Sequence, residues 1–337
     1  HGRLSIRHVG PDRRRQPDGR SPRRRWERMT MELSETMTAI ELIGFPMDLG
    51  AGRRGVDMGP SALRIAGIDS HLASMGYRVI DQGDIAIDIQ ECQQIRRPRL
   101  KYLEEIVRAS ALLVEKVEAA LSAGHIPLCL GGDHSAAVGS IAGVTRHCRH
   151  TDQTLGVIWI DAHPDFNTED TTSSGNIHGM VAAAASGLGH PDLVGLGGVA
   201  PKIEPGNLVM VGIRNVDPLE GRALKDHGVH VITMTDIDRI GIAAAAARML
   251  DRLNGSDHIH VSFDMDSVDP STAPGVGTPV PGGLTFREAH LLMETIAENG
   301  RLGSMDVVEV NPILDVRNRS AALAVDLVSS CFGKRIL

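Results

Sequence analysis

Short runs of apolar residues alternate along this chain with longer segments of helical periodicity, beginning near residue 38. The strand-like runs are, in order, IELIGF, RVIDQG, IPLCLGG, LGVIWIDAH, LVMVGI, HVITMTD, HIHVSFDMD and GSMDVVEVN. Several are almost continuously apolar, which is typical of parallel strands covered on both faces. Helical patterns such as residues 101–124, 243–255 and 286–300 lie between them. This alternation predicts an α/β fold, a three-layer α/β/α domain around a mostly parallel central sheet of about eight strands.

The domain organisation follows from a change in composition near residue 37. Residues 1–36 are rich in Arg, Pro and Gly and lack apolar periodicity, so we predict a disordered N-terminal extension. This segment has three interpretations: an extension upstream of the true start, a targeting arm, or a basic tail for a partner. Its prolines and glycines argue against the amphipathic helix of an organellar presequence. No repeat or linker interrupts residues 37–337, which we expect to form a single domain.

Composition and charge exclude several classes of function. The net charge of -7 argues against a polyanionic partner, so we expect no nucleic acid as ligand. The 4 cysteines show no CxxC spacing, which indicates reduced thiols and a cytoplasmic location. No stretch approaches the roughly 20 apolar residues of a membrane span, and we expect a soluble protein.

Polar residues follow the apolar part of three predicted strands. In an extended segment, residues two apart project to the same side, and the ends of parallel strands meet at one edge of a sheet. Side chains at these positions can therefore converge on one point. They are Asp161, His163 and Asp165 after the fourth strand, Asp264 and Asp266 after the seventh, and Asp133 with His134 after the third.

The residue types at these strand ends indicate a metal site. Any one of the acids could be a helix cap or a turn former. Together they would repel each other at one sheet edge unless cations compensated them. Oxygen and nitrogen ligands without thiolate favour Mn, Mg, Zn or Fe(II), and four aspartates would balance two divalent cations. Such a pair can lower the pKa of a water molecule, which suggests metal-assisted hydrolysis.

Three motifs resemble the metal signatures of the arginase family of ureohydrolases: GGDHS at 131–135, DAHPDFN at 161–167 and SFDMDSVDP at 262–270. The resemblance extends from about Ala39 to the closing FGKRIL, which looks like bacterial arginases. It implies an arginase-like fold with two Mn²⁺ ions per subunit, for which Fe²⁺ or Co²⁺ could substitute. The implied ligands are His134, Asp161, Asp165 and Asp264 for one ion, and Asp161, His163, Asp264 and Asp266 for the other.

The resemblance also implies how a substrate is held. In TTSSGNIHGM, His178 corresponds to the family's proton-shuttling histidine, while Asn167 and Ser174 correspond to residues that bind the α-carboxylate of L-arginine. The remaining implied contacts are Asn176 at the mouth, Glu309 facing the guanidinium, Thr278 in the pocket and Asp217 for the α-amino group. Asn215 departs from the family pattern, because some relatives have an acid there, which puts the details of amino-group recognition in doubt.

By this resemblance the chain is a hydrolase that converts L-arginine and water to L-ornithine and urea. A metal-bridging hydroxide oriented by Asp165 would attack the guanidinium carbon held by Glu309, and His178 would resupply protons. An agmatinase or guanidinobutyrase would share the metals but act on another guanidine; Asn167 and Ser174 favour arginine over agmatine. A non-catalytic metal-stabilised scaffold and nucleic-acid binding through the N-terminal segment are the alternatives of other classes. The family also implies a homo-oligomer, a trimer or a hexamer.

Overall fold

The predicted sheet is confirmed. A computed structural model describes residues 1–2 and 38–335 of the chain, so the prediction of disorder for residues 1–36 lies almost entirely outside the described residues. Eight strands form one sheet: β1 (Ala39–Phe45), β2 (Arg78–Asp84), β3 (Ile126–Gly131), β4 (Leu155–Ile160), β5 (Leu208–Ile213), β6 (His230–Thr233), β7 (His258–Asp264) and β8 (Leu302–Val308).

All seven pairings between neighbouring strands are parallel, in the order β2-β1-β3-β8-β7-β4-β5-β6. The spatial order differs from the chain order, so strands far apart in sequence lie side by side. In the middle of the sheet Ser262 on β7 is paired with Trp159 on β4 and with Asp306 on β8. The carboxyl ends of β3, β8, β7 and β4 therefore meet at one edge.

Helices cover both faces of the sheet. In the described part of the chain they are α1 (Gly59–Ile65), α2 (Ile68–Ser74), α3 (Leu103–Ser122), α4 (Ala136–His150), α5 (Val181–Ala185), α6 (Pro191–Val194), α7 (Pro218–Asp226), α8 (Met234–Ile240), α9 (Ile242–Arg252), α10 (Phe286–Asn299) and α11 (Arg319–Cys331). None of these helices combines the length and apolar character of a membrane span.

Two hydrophobic cores lie on opposite faces of the sheet. One face packs against α1, α2 and α8 to α11, and the other against α3 to α7. Strand β7 contributes Ile259, Val261 and Phe263 to the first core and no residue to the second. The architecture is thus the predicted three-layer arrangement, with one strand whose second face is polar although it is covered.

Candidate metal centre and active site

The turn after β3 brings His134 to the centre of the site. Gly132 lies so close to the preceding loop that a Cβ there would stand 1.9 Å from the carbonyl oxygen of Met47, so only glycine fits. The side chain of Asp133 turns away from His134 and accepts hydrogen bonds from the backbone N–H groups of Gly50 at 2.7 Å and Ser135 at 3.0 Å. Asp133 therefore anchors the loop, and only His134 of this pair faces the site.

His134 lies among three carboxylates. Its Nδ1 atom is 3.1 Å from Asp161 Oδ2, 3.1 Å from Asp165 Oδ2 and 3.2 Å from Asp264 Oδ2. All four residues are buried. Among the residues that the structure describes, the same Nδ1 atom makes no contact with hydrogen-bond geometry, although it is fully enclosed. Ligand atoms that converge without hydrogen-bonding one another are what a cation site provides.

A second group adjoins the first and shares Asp161 with it. The Nδ1 atom of His163 is 3.1 Å from Asp266 Oδ2 and 3.6 Å from Asp161 Oδ1. In each of the groups His134, Asp161, Asp165 and Asp161, His163, Asp266 the potential ligand atoms lie within 4.8 Å of one another. Two adjacent cations with a shared carboxylate would fit this arrangement.

The acidity of these groups reflects their crowding. Burial, together with the charges of Asp266 and Asp161, raises the pKa of Asp264 well above its usual range. Burial and Asp161 raise the pKa of Asp266 to about 6. Although burial opposes it, hydrogen bonding to Asp161 and Asp266 raises the pKa of His163 to about 12. Divalent cations bound between these groups would compensate such crowded buried acids.

Two residues of the site have left-handed backbone conformations. Asp165 has φ 49° and Glu309, directly after β8, has φ 64°. Such values are uncommon for residues other than glycine, and they persist only where the surroundings impose them. At Glu309 the backbone N–H donates to the carbonyl oxygen of Gly132 at 2.7 Å, which joins the ends of β8 and β3. This contact places the Glu309 side chain beside the site.

His178 and Glu309 form a pair. The Nδ1 atom of His178 is 2.9 Å from Glu309 Oε1, which also accepts a hydrogen bond from the backbone N–H of His134 at 3.1 Å. Although burial opposes it, Glu309 and the nearby charge of Asp165 raise the pKa of His178 to about 9. The raised pKa favours the doubly protonated imidazolium form of His178 at neutral pH, next to the candidate metal ligands.

A cavity of about 150 Å³ opens above the two groups. Most of its lining consists of residues that the sequence singled out as metal ligands, proton shuttle or substrate contacts. The full lining is His163, Asp165, Asn167, His178, Gly179, Asn215, Asp217, Glu220, Asp264 and Thr278. The volume and the polar lining suit a small charged substrate.

Three residues that were predicted to contact the substrate line this cavity: Asn167, Asp217 and Thr278. Asn167 Nδ2 donates to Asp217 Oδ2 at 3.4 Å, and Thr278 Oγ1 donates to Asp266 Oδ2 at 2.9 Å. Ser174 and Asn176 lie on the loop before His178, outside the lining of the cavity. There the Oδ1 atom of Asn176 accepts a hydrogen bond from Lys101 Nζ at 2.9 Å.

The lining residue Glu220 was not predicted from the sequence. Glu220 is 4% exposed, and its carboxylate accepts hydrogen bonds from the backbone N–H groups of Phe166 at 2.8 Å and Asp217 at 3.1 Å. Burial raises its pKa to about 7. The sequence signal was available, because Asp217-Pro-x-Glu220 is the capping-box pattern that begins α7. A capping-box carboxylate at the start of a helix beside a candidate site can therefore be tested as a ligand-binding group.

Comparison with known proteins gives a consistent result. The family model described as Arginase family matches residues 38–333. The arginase of Bacillus subtilis is 47% identical over 88% of this chain and 99% of its own, and that of Brevibacillus brevis is 46% identical over 88% and 99%. The crystal structure of native arginase from Bacillus caldovelox superimposes with a TM-score of 0.86 at 46% identity, over 89% of this chain and all of that one.

Proposed function

This chain belongs to the arginase family, and from that premise we propose that it is a hydrolase that converts L-arginine and water to L-ornithine and urea. The observation that carries the proposal is the position of the two His and Asp groups at the floor of a polar cavity. The cavity wall carries His178 and Asp217, which offer a proton and a partner for an amine. Residues 37–337 are the catalytic domain in this proposal.

The metal ligands in this proposal are the six residues implied by the family motifs. His134, Asp161, Asp165 and Asp264 hold one divalent ion, and Asp161, His163, Asp264 and Asp266 hold the other. Support comes from the convergence of three carboxylates on the unpaired Nδ1 atom of His134. Two Mn²⁺ ions, with Fe²⁺ or Co²⁺ as substitutes, would lower the pKa of a water molecule and so supply the nucleophile.

Glu309 orients the guanidinium in this proposal. Its Oε1 atom is occupied by His178 and by the backbone of His134, while among the described residues no hydrogen bond reaches Oε2. Gly277 flanks that oxygen, since a Cβ there would stand 3.1 Å from Glu309 Oε2. A carboxylate oxygen in this position can accept an N–H from a planar cation and hold its carbon over the metal ligands.

Two other side chains move or direct protons. Asp165 lies at both the first ligand group and the cavity, so its carboxylate can accept a hydrogen bond from the attacking water. His178 holds a proton at neutral pH and lines the same cavity. It can deliver that proton toward the amine that departs as the carbon–nitrogen bond breaks, and be reloaded from solvent.

The other end of the substrate faces Asn167 and Asp217. The amide of Asn167 would donate to the α-carboxylate, and Asp217 with Glu220 would accept from the α-amino group. Ser174 and Asn176 would contribute from the outer part of the loop. A substrate without an α-carboxylate, such as agmatine, would leave polar atoms of the cavity without partners, which disfavours its binding.

Urea release tests the proposal. Mn²⁺-loaded full chain is offered L-arginine and agmatine in parallel, with Asp161→Ala as the metal-site variant and Asp251→Ala, at an exposed position of α9, as the matched control. We expect urea from L-arginine, none in the first variant and full activity in the second. A preference for agmatine would show that the protein is a different ureohydrolase. No urea from either substrate would indicate a non-catalytic metal-binding scaffold.

We also propose that the protein acts in the cytoplasm as a homo-oligomer, either a trimer or a hexamer. Light scattering after size-exclusion chromatography measures the oligomer directly. A mass of one subunit at micromolar concentration would contradict this part of the proposal.

A further inference from the structure

Strand β7 is polar on a face that is fully covered. Its sequence alternates between His258, His260 and Ser262 on one side and apolar residues on the other. Alternation normally marks a strand with one solvated face. Here every residue of the strand is buried, and the polar side faces the layer that contains α4. A central strand of a parallel sheet would ordinarily be apolar on both faces, so the presence of these polar residues needs a physical explanation.

The polar side chains form a continuous series of contacts that begins at the amino end of the strand. His258 Nε2 lies 3.0 Å from the hydroxyl oxygen of Ser304 on β8. That oxygen lies 2.9 Å from His260 Nδ1. His260 Nε2 then lies 3.1 Å from Asp306 Oδ2. All four residues are 8% exposed or less.

A second series reaches the same carboxylate from the metal centre. His134 Nε2 lies 2.9 Å from Ser262 Oγ, and Ser262 Oγ donates to Asp306 Oδ2 at 3.5 Å. Ser140 Oγ on α4 also donates to Asp306 Oδ2, at 2.6 Å. The Asp306 carboxylate is therefore the meeting point of both series. Its pKa is held below the usual range despite burial, because His260 and Ser140 stabilise the charge.

The directions of the hydrogen bonds to Asp306 are determined once it is ionised, because a carboxylate only accepts. His260 then donates from Nε2, and with a neutral ring its Nδ1 accepts from Ser304. Ser262 donates its hydroxyl hydrogen to Asp306, which leaves its oxygen to accept from His134 Nε2. A neutral His134 with its proton on Nε2 has a free lone pair on Nδ1, the atom that faces the three carboxylates.

We propose that Asp306 is a positioning residue for the metal centre: through Ser262 it holds His134 in the tautomer and orientation that a metal requires. His260, with Ser304 and His258 behind it, keeps the Asp306 carboxylate ionised and aligned. This inference rests on the proposed function in so far as His134 is a metal ligand. It extends the site from the carboxyl edge of the sheet to the opposite end of β7.

The alternative is that the series only satisfies buried polar groups. A buried carboxylate costs stability unless its partners are well arranged, and an apolar core would generally be at least as stable. Within residues 38–335, no hydrogen bond reaches the Oδ1 atom of Asp306, so the network is not optimised for stability alone. Partners that orient a metal-bound histidine typically change metal affinity by about 10–100-fold when they are removed.

A double-mutant cycle on Mn²⁺ affinity tests the proposal. Mn²⁺ is titrated calorimetrically into the metal-stripped full chain and into Asp306→Asn, Ser262→Ala and the double variant. We expect each single variant to lose about 10–100-fold in affinity. Because Asp306 acts through Ser262, the double variant should lose no more than the weaker-binding single variant. Losses that multiply would show two independent effects and would overturn the proposal.

Two further variants serve as a control and as a substitute for a variant that does not fold. Ser110→Ala removes a buried hydroxyl of α3 that has no hydrogen-bond partner in the described part of the chain and lies outside the series, so its Mn²⁺ affinity should equal that of the parent. If Asp306→Asn does not fold, His260→Gln takes its place in the cycle, with the same expectation of non-additive losses. Parent-like Mn²⁺ affinity in all series variants would reduce the network to a structural role.

The readout also separates this inference from the proposed function. Calorimetry measures metal binding without turnover, so a chain that binds Mn²⁺ but releases no urea would contradict the proposed activity and leave the cycle interpretable. A parent chain that binds no Mn²⁺ would overturn both.

Discussion

The indole ring of Trp159 lies flat against the imidazole of His134, with ring centroids 4.1 Å apart and an angle of 10° between the planes. The same indole donates from Nε1 to Asp161 Oδ2 at 3.0 Å. One core side chain thus fixes the plane of a histidine and the orientation of a carboxylate that belong to the same ligand group. Trp159, His134 and Asp161 are all buried, so water does not compete with either contact.

The two contacts of Trp159 can be separated by substitution. Trp159→Phe keeps an aromatic ring against His134 but removes the donor to Asp161, whereas Trp159→Leu removes both. We expect a loss of about 1–3 kcal/mol in the free energy of unfolding for the first and about 3–5 kcal/mol for the second. Mn²⁺ affinity should fall in the same order. Urea denaturation and calorimetry measure the two quantities, and equal affinity in both variants would exclude a role for the stacked ring.

Metal removal should destabilise the protein, because Asp264 and Asp266 are buried next to Asp161 without cations to compensate them. A ligand at 100 times its dissociation constant stabilises the folded state by about 2.7 kcal/mol. For a chain of this size that corresponds to a rise in Tm of roughly 4 °C. Thermal unfolding with Mn²⁺ or with a chelator gives the value. Asp161→Ala should show no such difference, and a chelator effect of equal size in that variant would point to metal bound elsewhere.

Asn167→Ala should separate the substrates. Loss of a hydrogen bond to a charged group costs about 1.5–3 kcal/mol, which corresponds to a rise in KM for L-arginine of about 10–100-fold. The value of kcat should change little, since Asn167 belongs to neither ligand group. Agmatine has no α-carboxylate, so its kinetics should stay as in the parent. Initial rates of urea release with both substrates measure these changes. A parallel loss of activity with agmatine would show that Asn167 supports the structure of the loop and does not bind the α-carboxylate.

His258 should contribute to the pH dependence of stability. Burial and the neighbouring His260 lower its pKa to about 4 in the folded protein, below the usual 6.5. Between these values the unfolded chain binds more protons, so the free energy of unfolding falls as the pH drops from 6.5 to 4. The full effect is of order 3 kcal/mol.

His258→Gln keeps a donor for Ser304 but does not titrate, so the fall in stability over this pH range should become smaller. Denaturant unfolding of the chelator-treated protein at a series of pH values measures it, without a contribution from bound metal. His227→Gln, at an exposed histidine of this chain, is the control and should follow the parent curve. A slope in His258→Gln that equals the parent slope would assign the pH dependence to other groups.

The sequence was informative about features that depend on the local periodicity of apolar and polar residues. The eight strands follow from apolar runs, and the alternation of Asp161, His163 and Asp165 placed these side chains on one side of an extended segment. The same rule applied to Asp264 and Asp266. The family motifs then assigned His134 to the group, and its Nδ1 atom lies 3.1–3.2 Å from three carboxylates.

Other features depended on packing between distant segments. Asp133 and His134 are adjacent and equally polar, yet only the fold shows that Asp133 is used to hold Gly50. Glu220 reaches the cavity because α7 begins where β5 ends beside the loop at Phe166. The spacing of residues along the chain contains no information on either contact.

By itself, then, the sequence determined the strands, the layers and the chemistry of the ligands, because strand periodicity and side-chain type are local properties. Only the tertiary structure decided which polar residues meet. The order β3-β8-β7-β4 brings Asp306 beside Ser262, residues 44 positions apart, and connects His258 to the metal centre. That order is set by the packing of helices on both faces of the sheet, which no single segment specifies.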